Sequence, residues 1–353
     1  MSHRPDQLQA FLQRVLAARG LSTTGSWHAI TGDASFRHFF RVGIAEQNVP
    51  LSSLGAANSF VLVDAPPETE NNAQYLRIAQ RWRAQGLPLP EIIASDLDQG
   101  FFAVADFGDR LLGDVLLREN PHTRYRQALD LLLRIQALPI DDTCPPYEMS
   151  RFRMELGIFR EWFLDKLLAY ELSAVEQRLM NDTEAALLAV IERQHRVCVH
   201  RDFHSRNLLV LPNNELGIID FQDALYGPYA YDVVSLLRDC YVRWPDDDVA
   251  HWRRYYAERA TQQLPSGALN DFTTDFDFTG MQRHLKAIGI FARLWVRNRR
   301  AGYLPDIPRV LGYLTDVSAD YSLLANFADW LHTTVAPRFA ARAATIVADT
   351  ALL

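Results

Sequence analysis

The segment from Val199 to Asp220 restricts this chain more than any other. It runs Val-His-Arg-Asp-Phe-His-Ser-Arg-Asn-Leu-Leu-Val, passes through Pro212-Asn213-Asn214, and ends Leu-Gly-Ile-Ile-Asp. Two short apolar runs, 208–211 and 216–219, flank the Pro-Asn-Asn turn signal, so they pair as a hairpin. A polar loop leads into the hairpin and a carboxylate closes it. Four residues between Asp202 and Asn207 make a loop that brings the chain back to the same cleft. Asp202, Asn207 and Asp220 are therefore expected together. Asp202 supplies a carboxylate able to accept or orient a hydroxyl proton. Asn207 and Asp220 supply hard oxygen donors of the kind magnesium takes alongside phosphate oxygens and water.

The rest of the chain supplies the setting. Residues 6–19 carry Leu8, Phe11, Leu12, Val15 and Leu16 at helical spacing, closed by Gly20. Strand patterns follow at 27–30 and 36–42 around Thr31-Gly32-Asp33-Ala34-Ser35, then at 60–63. A helix is expected over 71–85, ended by Gly86, and Leu-Pro-Leu-Pro (87–90) then breaks the chain. Strands at 91–94 and 101–105 enclose a turn. Beyond Phe107-Gly108 helical periodicity dominates, over 111–138, 150–170 and 172–194, and it resumes at 229–241. The fold class is therefore mixed α/β: a strand-rich part (1–107) and a mostly helical part (108–353), hinged near 105–109.

Composition narrows the function. At 353 residues, 48% hydrophobic and 22% charged, the chain is globular and long enough for two compact parts. A formal net charge of -7 leaves no basic field for a nucleic-acid backbone. No run of eighteen apolar residues or signal-peptide pattern exists, so a soluble protein with no membrane partner is expected. Cys144, Cys198 and Cys240 form no CxxC pair and are expected as buried free thiols. No obligate protein partner is evident. Lys166 and Lys286 are the only lysines.

The pattern His200-Arg201-Asp202-x-x-x-x-Asn207 resembles the catalytic loop of protein kinases, and Asp220-Phe221 stands where those enzymes carry Asp-Phe-Gly. VHRDFHSRNLLV, GIIDFQDALYGP and YDVVSLLRD together resemble the aminoglycoside phosphotransferase and choline-kinase-like family. That resemblance implies a two-lobed protein-kinase-like fold and ATP-dependent transfer to a small-molecule hydroxyl. It makes Asp202 the catalytic carboxylate, with Asn207 and Asp220 as magnesium ligands. It also implies that Gly32, Asp33, Ala34 and Ser35 cover the nucleotide, that Asp106 and Phe107 form the hinge beside it, and that His200 and Asp232 brace the catalytic loop. GDASFRHFFR, VLVDAPPE and VVSLLRDCYVRWP are further similar to bacterial anomeric sugar kinases of cell-wall recycling. Those act on the C1 hydroxyl of N-acetylmuramic acid and N-acetylglucosamine, which makes an amino sugar the expected partner.

One departure matters. Protein kinases hold the ATP phosphates with a third-strand lysine, but no lysine stands before Lys166, and the corresponding strand reads Val61-Leu62-Val63-Asp64. Arg41 and Arg37 are candidates to replace it, since arginine makes bidentate phosphate contacts. Around the acceptor, Glu155, His204, Arg206 and Asp223 are candidates. In residues 151–163 the i, i+4 spacing groups Glu155, Phe159 and Phe163, which also suits plain core packing. An aminoglycoside or other small-molecule kinase is the alternative. A non-catalytic nucleotide-binding module is a third possibility, against which the joint presence of Asp202, Asn207 and Asp220 argues. A protein kinase is disfavoured, because only six residues separate Asp220 from Gly227, too few for a peptide-docking segment.

Overall fold

The computed structural model describes residues 4–25, 27–30, 36–45 and 58–351. The expected nucleotide-covering turn, Gly32, Asp33, Ala34 and Ser35, lies outside the described residues. The first apolar stripe forms helix α1 (Arg4–Arg19), with Leu8, Phe11, Leu12, Val15 and Leu16 all buried.

Five strands follow: β1 (His28–Ile30), β2 (His38–Gly43), β3 (Ser59–Asp64), β4 (Ile92–Asp96) and β5 (Phe101–Ala105). They form one antiparallel sheet in the order β1-β2-β3-β5-β4. Alternation along the strands gives the sheet two apolar faces. Phe60, Leu62, Phe101 and Ala103 pack with α1. Val61, Val63, Phe102 and Val104 pack with Tyr75 and Leu76 of helix α2 (Asn72–Ala84). Both faces are thus covered, which explains why β5 is buried along its whole length. Arg4 donates to Asp64 through Nε at 2.8 Å, pinning the start of α1 to the rim of β3.

The helical run expected over 111–138 is two helices, α3 (Leu112–Leu116) and α4 (Pro121–Gln136). Asn120 caps α4 by accepting from the His122 N–H at 2.9 Å, and Pro121 occupies the first turn. Helix α5 (Met149–Ile158) continues as a π-helical segment, Phe159–Leu167. Helix α6 (Ala174–Arg193) opens on a capping box of Ser173 and Glu176. Four short strands make two pairs: β6 (Arg196–Val199) with β9 (Leu225–Pro228), and β7 (Leu208–Val210) with β8 (Leu216–Ile218). The β7–β8 hairpin is the one its sequence predicts. Strand β9, Leu-Tyr-Gly-Pro, has no strand pattern of its own and is ordered by pairing with β6. The remainder is helical: α7 (Ala230–Leu237), α8 (Asp246–Ala260), α9 (Phe272–Asn298), α10 (Ile307–Ala319), α11 (Ala325–Trp330) and α12 (Ala336–Ala351).

The chain forms two compact units, one of Met1–Pro145 with His200–Ala224, the other of Pro146–Val199 with Leu225–Leu353. The loop and hairpin that carry Asp202, Asn207 and Asp220 thus group with the sheet, whereas the expectation placed them with residues 108–353. The reason is local. The Ile218 N–H donates to the Pro88 carbonyl at 2.9 Å, Val210 N–H to Arg110 at 2.8 Å, and Gly113 N–H to Ser205 at 3.1 Å.

The second unit is built around α9. Phe278, Met281, Leu285 and Ile288 of α9 bury against Phe159, Phe163 and residues of α10 and α11. A Cβ at Gly289 would stand 2.6 Å from the Ile158 carbonyl carbon, so only glycine lets α9 approach the α5 backbone here. Of the three cysteines, Cys198 is buried and Cys144 and Cys240 are half-buried, all as free thiols. No helix among the described residues is long and apolar enough to cross a membrane.

Candidate active site

The loop between β6 and β7 is held by its own backbone and by two side chains. His200 is fully buried. Its Nδ1 accepts from the Asp202 N–H at 3.3 Å, so Nε2 carries the proton and donates to the Ile219 carbonyl at 2.9 Å. The imidazole thereby ties the start of the loop to the end of β8. Trp82 and Phe203 flank the ring. Asn207 closes the other end. Its N–H donates to the His204 carbonyl at 3.0 Å, and its carbonyl accepts from the Ile219 N–H at 3.1 Å.

The Asn207 side chain joins the three expected groups. Its Nδ2 donates to the Asp202 carbonyl at 2.9 Å and lies 3.5 Å from Asp220 Oδ2. One amide nitrogen thus spans the backbone of the loop carboxylate and the carboxylate that follows β8. Gln222 Nε2 donates to the other oxygen of Asp220 at 2.7 Å. Arg201 (φ 77°) and Asp220 (φ 62°) both adopt left-handed backbone conformations, which non-glycine residues hold only when surrounding contacts enforce them. Such strain clusters where side chains must be aimed.

Burial alternates along the loop. Arg201, Phe203, Ser205 and Asn207 are buried, while Asp202, His204 and Arg206 are half-exposed. The acceptor candidates His204 and Arg206 therefore share the accessible edge of the loop with Asp202. Asp223 is largely exposed, and its Oδ1 lies 3.8 Å from Arg201 Nη1.

The donor set suits a hard divalent cation. Asp220 is an exposed carboxylate, Asn207 adds an amide, and the two Asp220 oxygens are met by neutral amide donors, Asn207 Nδ2 and Gln222 Nε2. One or two protein oxygens suffice for magnesium when phosphates and water complete its shell.

At the expected hinge, Asp106 is buried and turned toward the sheet. It accepts from Arg41 Nε at 2.6 Å and Nη2 at 3.1 Å, from the Ser59 hydroxyl at 2.6 Å, and from the Gly108 N–H at 2.9 Å. Burial by itself pushes the Asp106 carboxyl up, but these hydrogen bonds outweigh it and hold the group below the usual carboxylate range. Arg41 also donates to Asp109 at 2.7 and 2.8 Å. Hydrogen bonds to Asp109 and then Asp106 hold its guanidinium above its ordinary pKa. Phe107 packs with Ala105, Leu209 and Leu211. A Cβ at Gly217 would stand 2.6 Å from the Phe107 ring, so glycine in β8 makes room for the hinge aromatic.

Arg37 stands just before β2. Its Nη2 is 2.8 Å from Glu70 Oε2, and its guanidinium sits over the Tyr75 ring at 5.4 Å. Tyr75 in turn stacks on Phe221, the neighbour of Asp220, with centroids 5.1 Å apart.

The last two candidates belong to the second unit. Asp232 is fully buried in the first turn of α7. Glu155 is buried inside the unit, where Tyr147 donates to it at 2.5 Å, Gln282 at 3.2 Å, and Lys286 pairs with it at 3.2 Å. This is a satisfied buried ion pair, and it accounts for one of the two lysines. Sequence reading missed Glu70, Tyr75, Ser59 and Asp109. Of these, only Asp109 carried a signal, as a second carboxylate three residues after Asp106.

A family model described as "Phosphotransferase enzyme family" matches residues 26–269. An N-acetylmuramate/N-acetylglucosamine kinase of Neisseria meningitidis is 35% identical over 328 residues, covering 91% of this chain and 93% of the relative. One of Pseudomonas putida is 35% identical over 302 residues, covering 85% and 86%. A choline kinase from Streptococcus pneumoniae shares the protein-kinase-like fold, with a TM-score of 0.60 at 10% identity, covering 88% of this chain and 99% of that one.

Proposed function

Because the chain belongs to the phosphotransferase enzyme family, we propose that it moves the γ-phosphoryl group of ATP onto the C1 hydroxyl of N-acetylmuramic acid and N-acetylglucosamine. The observation that carries the mechanism is the Asn207 amide reaching both the Asp202 backbone and the Asp220 carboxylate. The relatives' shared name, over most of both chains, supports the acceptor.

In this reading the Asp202 carboxylate orients the C1 hydroxyl and takes its proton as the oxygen attacks the γ-phosphorus. The bond from that phosphorus to the β,γ-bridging oxygen breaks, and ADP leaves with the electron pair. A hemiacetal hydroxyl is more acidic than an ordinary alcohol, which lightens the task of Asp202. His200 holds the loop so that Asp202 keeps its aim. Asn207 and Asp220 would hold magnesium, which supplies positive charge to the transferring group. Asp106 and Phe107 stand at the nucleotide hinge, and His204 and Arg206 face the acceptor from the edge they share with Asp202. The first unit then carries the nucleotide, metal and catalytic groups, and the reaction takes place in the cytoplasm, where ATP and free amino sugars meet.

The test is ADP release by purified protein with ATP, magnesium and a panel of acceptors: N-acetylmuramic acid, N-acetylglucosamine, its methyl glycoside, kanamycin and choline. Turnover with the two free sugars and none with the glycoside is expected. Turnover with the glycoside would remove the C1 assignment, and turnover with kanamycin alone would replace the acceptor class.

A further inference from the structure

We propose that Arg41 is a positioning residue for nucleotide binding: it presets the hinge backbone that follows β5 and makes no contact with the phosphates. The inference rests on the kinase reading above, in which Asp106 and Phe107 stand at the nucleotide hinge, and deepens it.

The register of the sheet puts Arg41 in reach of that segment. Arg41 of β2 pairs with Val61 of β3, and Val61 pairs with Val104 of β5. Paired residues share a face, and Val61 and Val104 both pack on the α2 side. Arg41 therefore lies on that face, in the row of the sheet next to the end of β5, where the hinge begins. Strands β2 and β5 are not neighbours, because β3 runs between them. The guanidinium crosses that gap to Asp106 and Asp109.

Two carboxylates hold it there. Nε and Nη2 donate to Asp106 at 2.6 and 3.1 Å, and Nη1 and Nη2 donate to Asp109 at 2.7 and 2.8 Å. These four bonds draw on a group with five N–H donors. A phosphate arriving at Arg41 would meet both carboxylates. It could recruit the guanidinium only by leaving the buried Asp106 carboxylate with Ser59 and the Gly108 amide. The site is built to grip the hinge.

What the grip fixes is backbone. Asp106 takes a donor from each part it joins: Arg41 from β2, the Ser59 hydroxyl from β3 at 2.6 Å, and the Gly108 N–H from the hinge at 2.9 Å. The last of these closes a turn from an Asp side chain onto the amide two residues on. Gly108 holds φ at 79°, in the left-handed region. Glycine is the residue whose own side chain restrains its backbone least, so this turn keeps its shape through Asp106. Asp106 in turn keeps its aim through Arg41 and Ser59. A nucleotide that meets a hinge already in shape loses no affinity to ordering it.

The test measures binding without acceptor, so it does not depend on which sugar is phosphorylated. Calorimetry gives dissociation constants for adenosine, for ATP with magnesium and, by competition with ATP, for inorganic triphosphate with magnesium. Arg41→Met should weaken adenosine and ATP by the same factor, about 5–30-fold for backbone freedom returned to one hinge residue. Triphosphate has no base for the hinge to meet and should stay within about twofold. Asp109→Asn cuts the exposed arm of the clasp and should weaken adenosine about 2–5-fold. The double variant should bind adenosine no more weakly than Arg41→Met alone, since both changes act through one clasp. Four results overturn the proposal. Unchanged adenosine binding shows that the hinge needs no clasp, and a loss confined to ATP and triphosphate marks a phosphate contact. Additive losses in the double variant mark direct contact with the base, and equal loss for all three ligands marks a merely structural role. Should Arg41→Met fail to fold, Asp109→Asn leaves the buried carboxylate paired and is judged by the same three ligands. A wild type that binds no ATP would instead sink the kinase reading.

Discussion

His284 offers a sharp test of the packing in the second unit. The residue is 2% exposed in the middle of α9. Its Nε2 lies 3.0 Å from the Arg238 carbonyl oxygen, which places the proton on Nε2, and its ring stacks on Tyr313 with centroids 4.9 Å apart. Burial pushes its pKa down to about 3; the Arg238 and Arg283 cations push the same way, and the hydrogen bond to the Arg238 carbonyl opposes them. Because the folded value lies below the unfolded value of about 6.5, the unfolded chain takes the proton first. The stability of the neutral ring is therefore complete above about pH 6.5 and is lost as pH falls toward 3. Between pH 7 and pH 5 the loss works out at about 2 kcal/mol, a large part of the usual stability of a domain. His284→Gln removes the titration and keeps an amide donor for Arg238. Urea unfolding of both proteins at the two pH values gives the comparison. The wild type should lose about 2 kcal/mol more than the variant on acidification, and parallel losses would refute the reasoning.

Other perturbations separate the roles assigned above. Asp202→Ala should lower kcat about 10²–10⁴-fold while leaving the dissociation constant for ATP nearly unchanged; full activity would remove its catalytic assignment. Asp220→Ala should abolish metal-supported turnover, checked by titrating magnesium against ADP release. Lys286→Met leaves the buried Glu155 with only the longer Arg151 pair at 3.8 Å and should cost about 3–5 kcal/mol in urea unfolding; adding Glu155→Gln should recover most of that, and additive losses would contradict the ion pair. Gly217→Ala drives a methyl group into the Phe107 ring and should cost about 1–3 kcal/mol, read as a lower Tm.

Much of the site was legible because its chemistry is local. Asp202, Asn207 and Asp220 sit within one loop and one hairpin, so turn signals and strand length place them without any long-range information. His200 and Asn207 hold that loop through partners less than twenty residues away. The cation was harder. Arg37 stands just before β2 and Arg41 within it, four residues apart, and sequence gives both the same reach. What distinguishes them is Asp106 and Asp109 at one end and Glu70 at the other, and those meet the arginines only after the sheet forms. Glu155 shows the same limit: its helical spacing suits a sugar platform or a core, and Lys286, more than a hundred residues away, makes it a buried ion pair.

The division of the chain follows from the same distinction. Periodicity fixed a strand-rich start and a helical remainder, since both patterns are carried by neighbours in sequence. It set the expected boundary at the hinge. Tertiary pairing instead drew residues 200–224 to the sheet, because β7 and β8 find backbone partners in Pro88, Arg110 and the turn before α3. Strand β9, with a Gly-Pro end and no alternation, is ordered by the ladder that β6 offers and by the Tyr147 N–H that donates to the Tyr226 carbonyl. Hydrophobic patterning along a chain states which residues must be buried; which distant polar group satisfies each buried charge or open backbone edge is decided only when the elements meet.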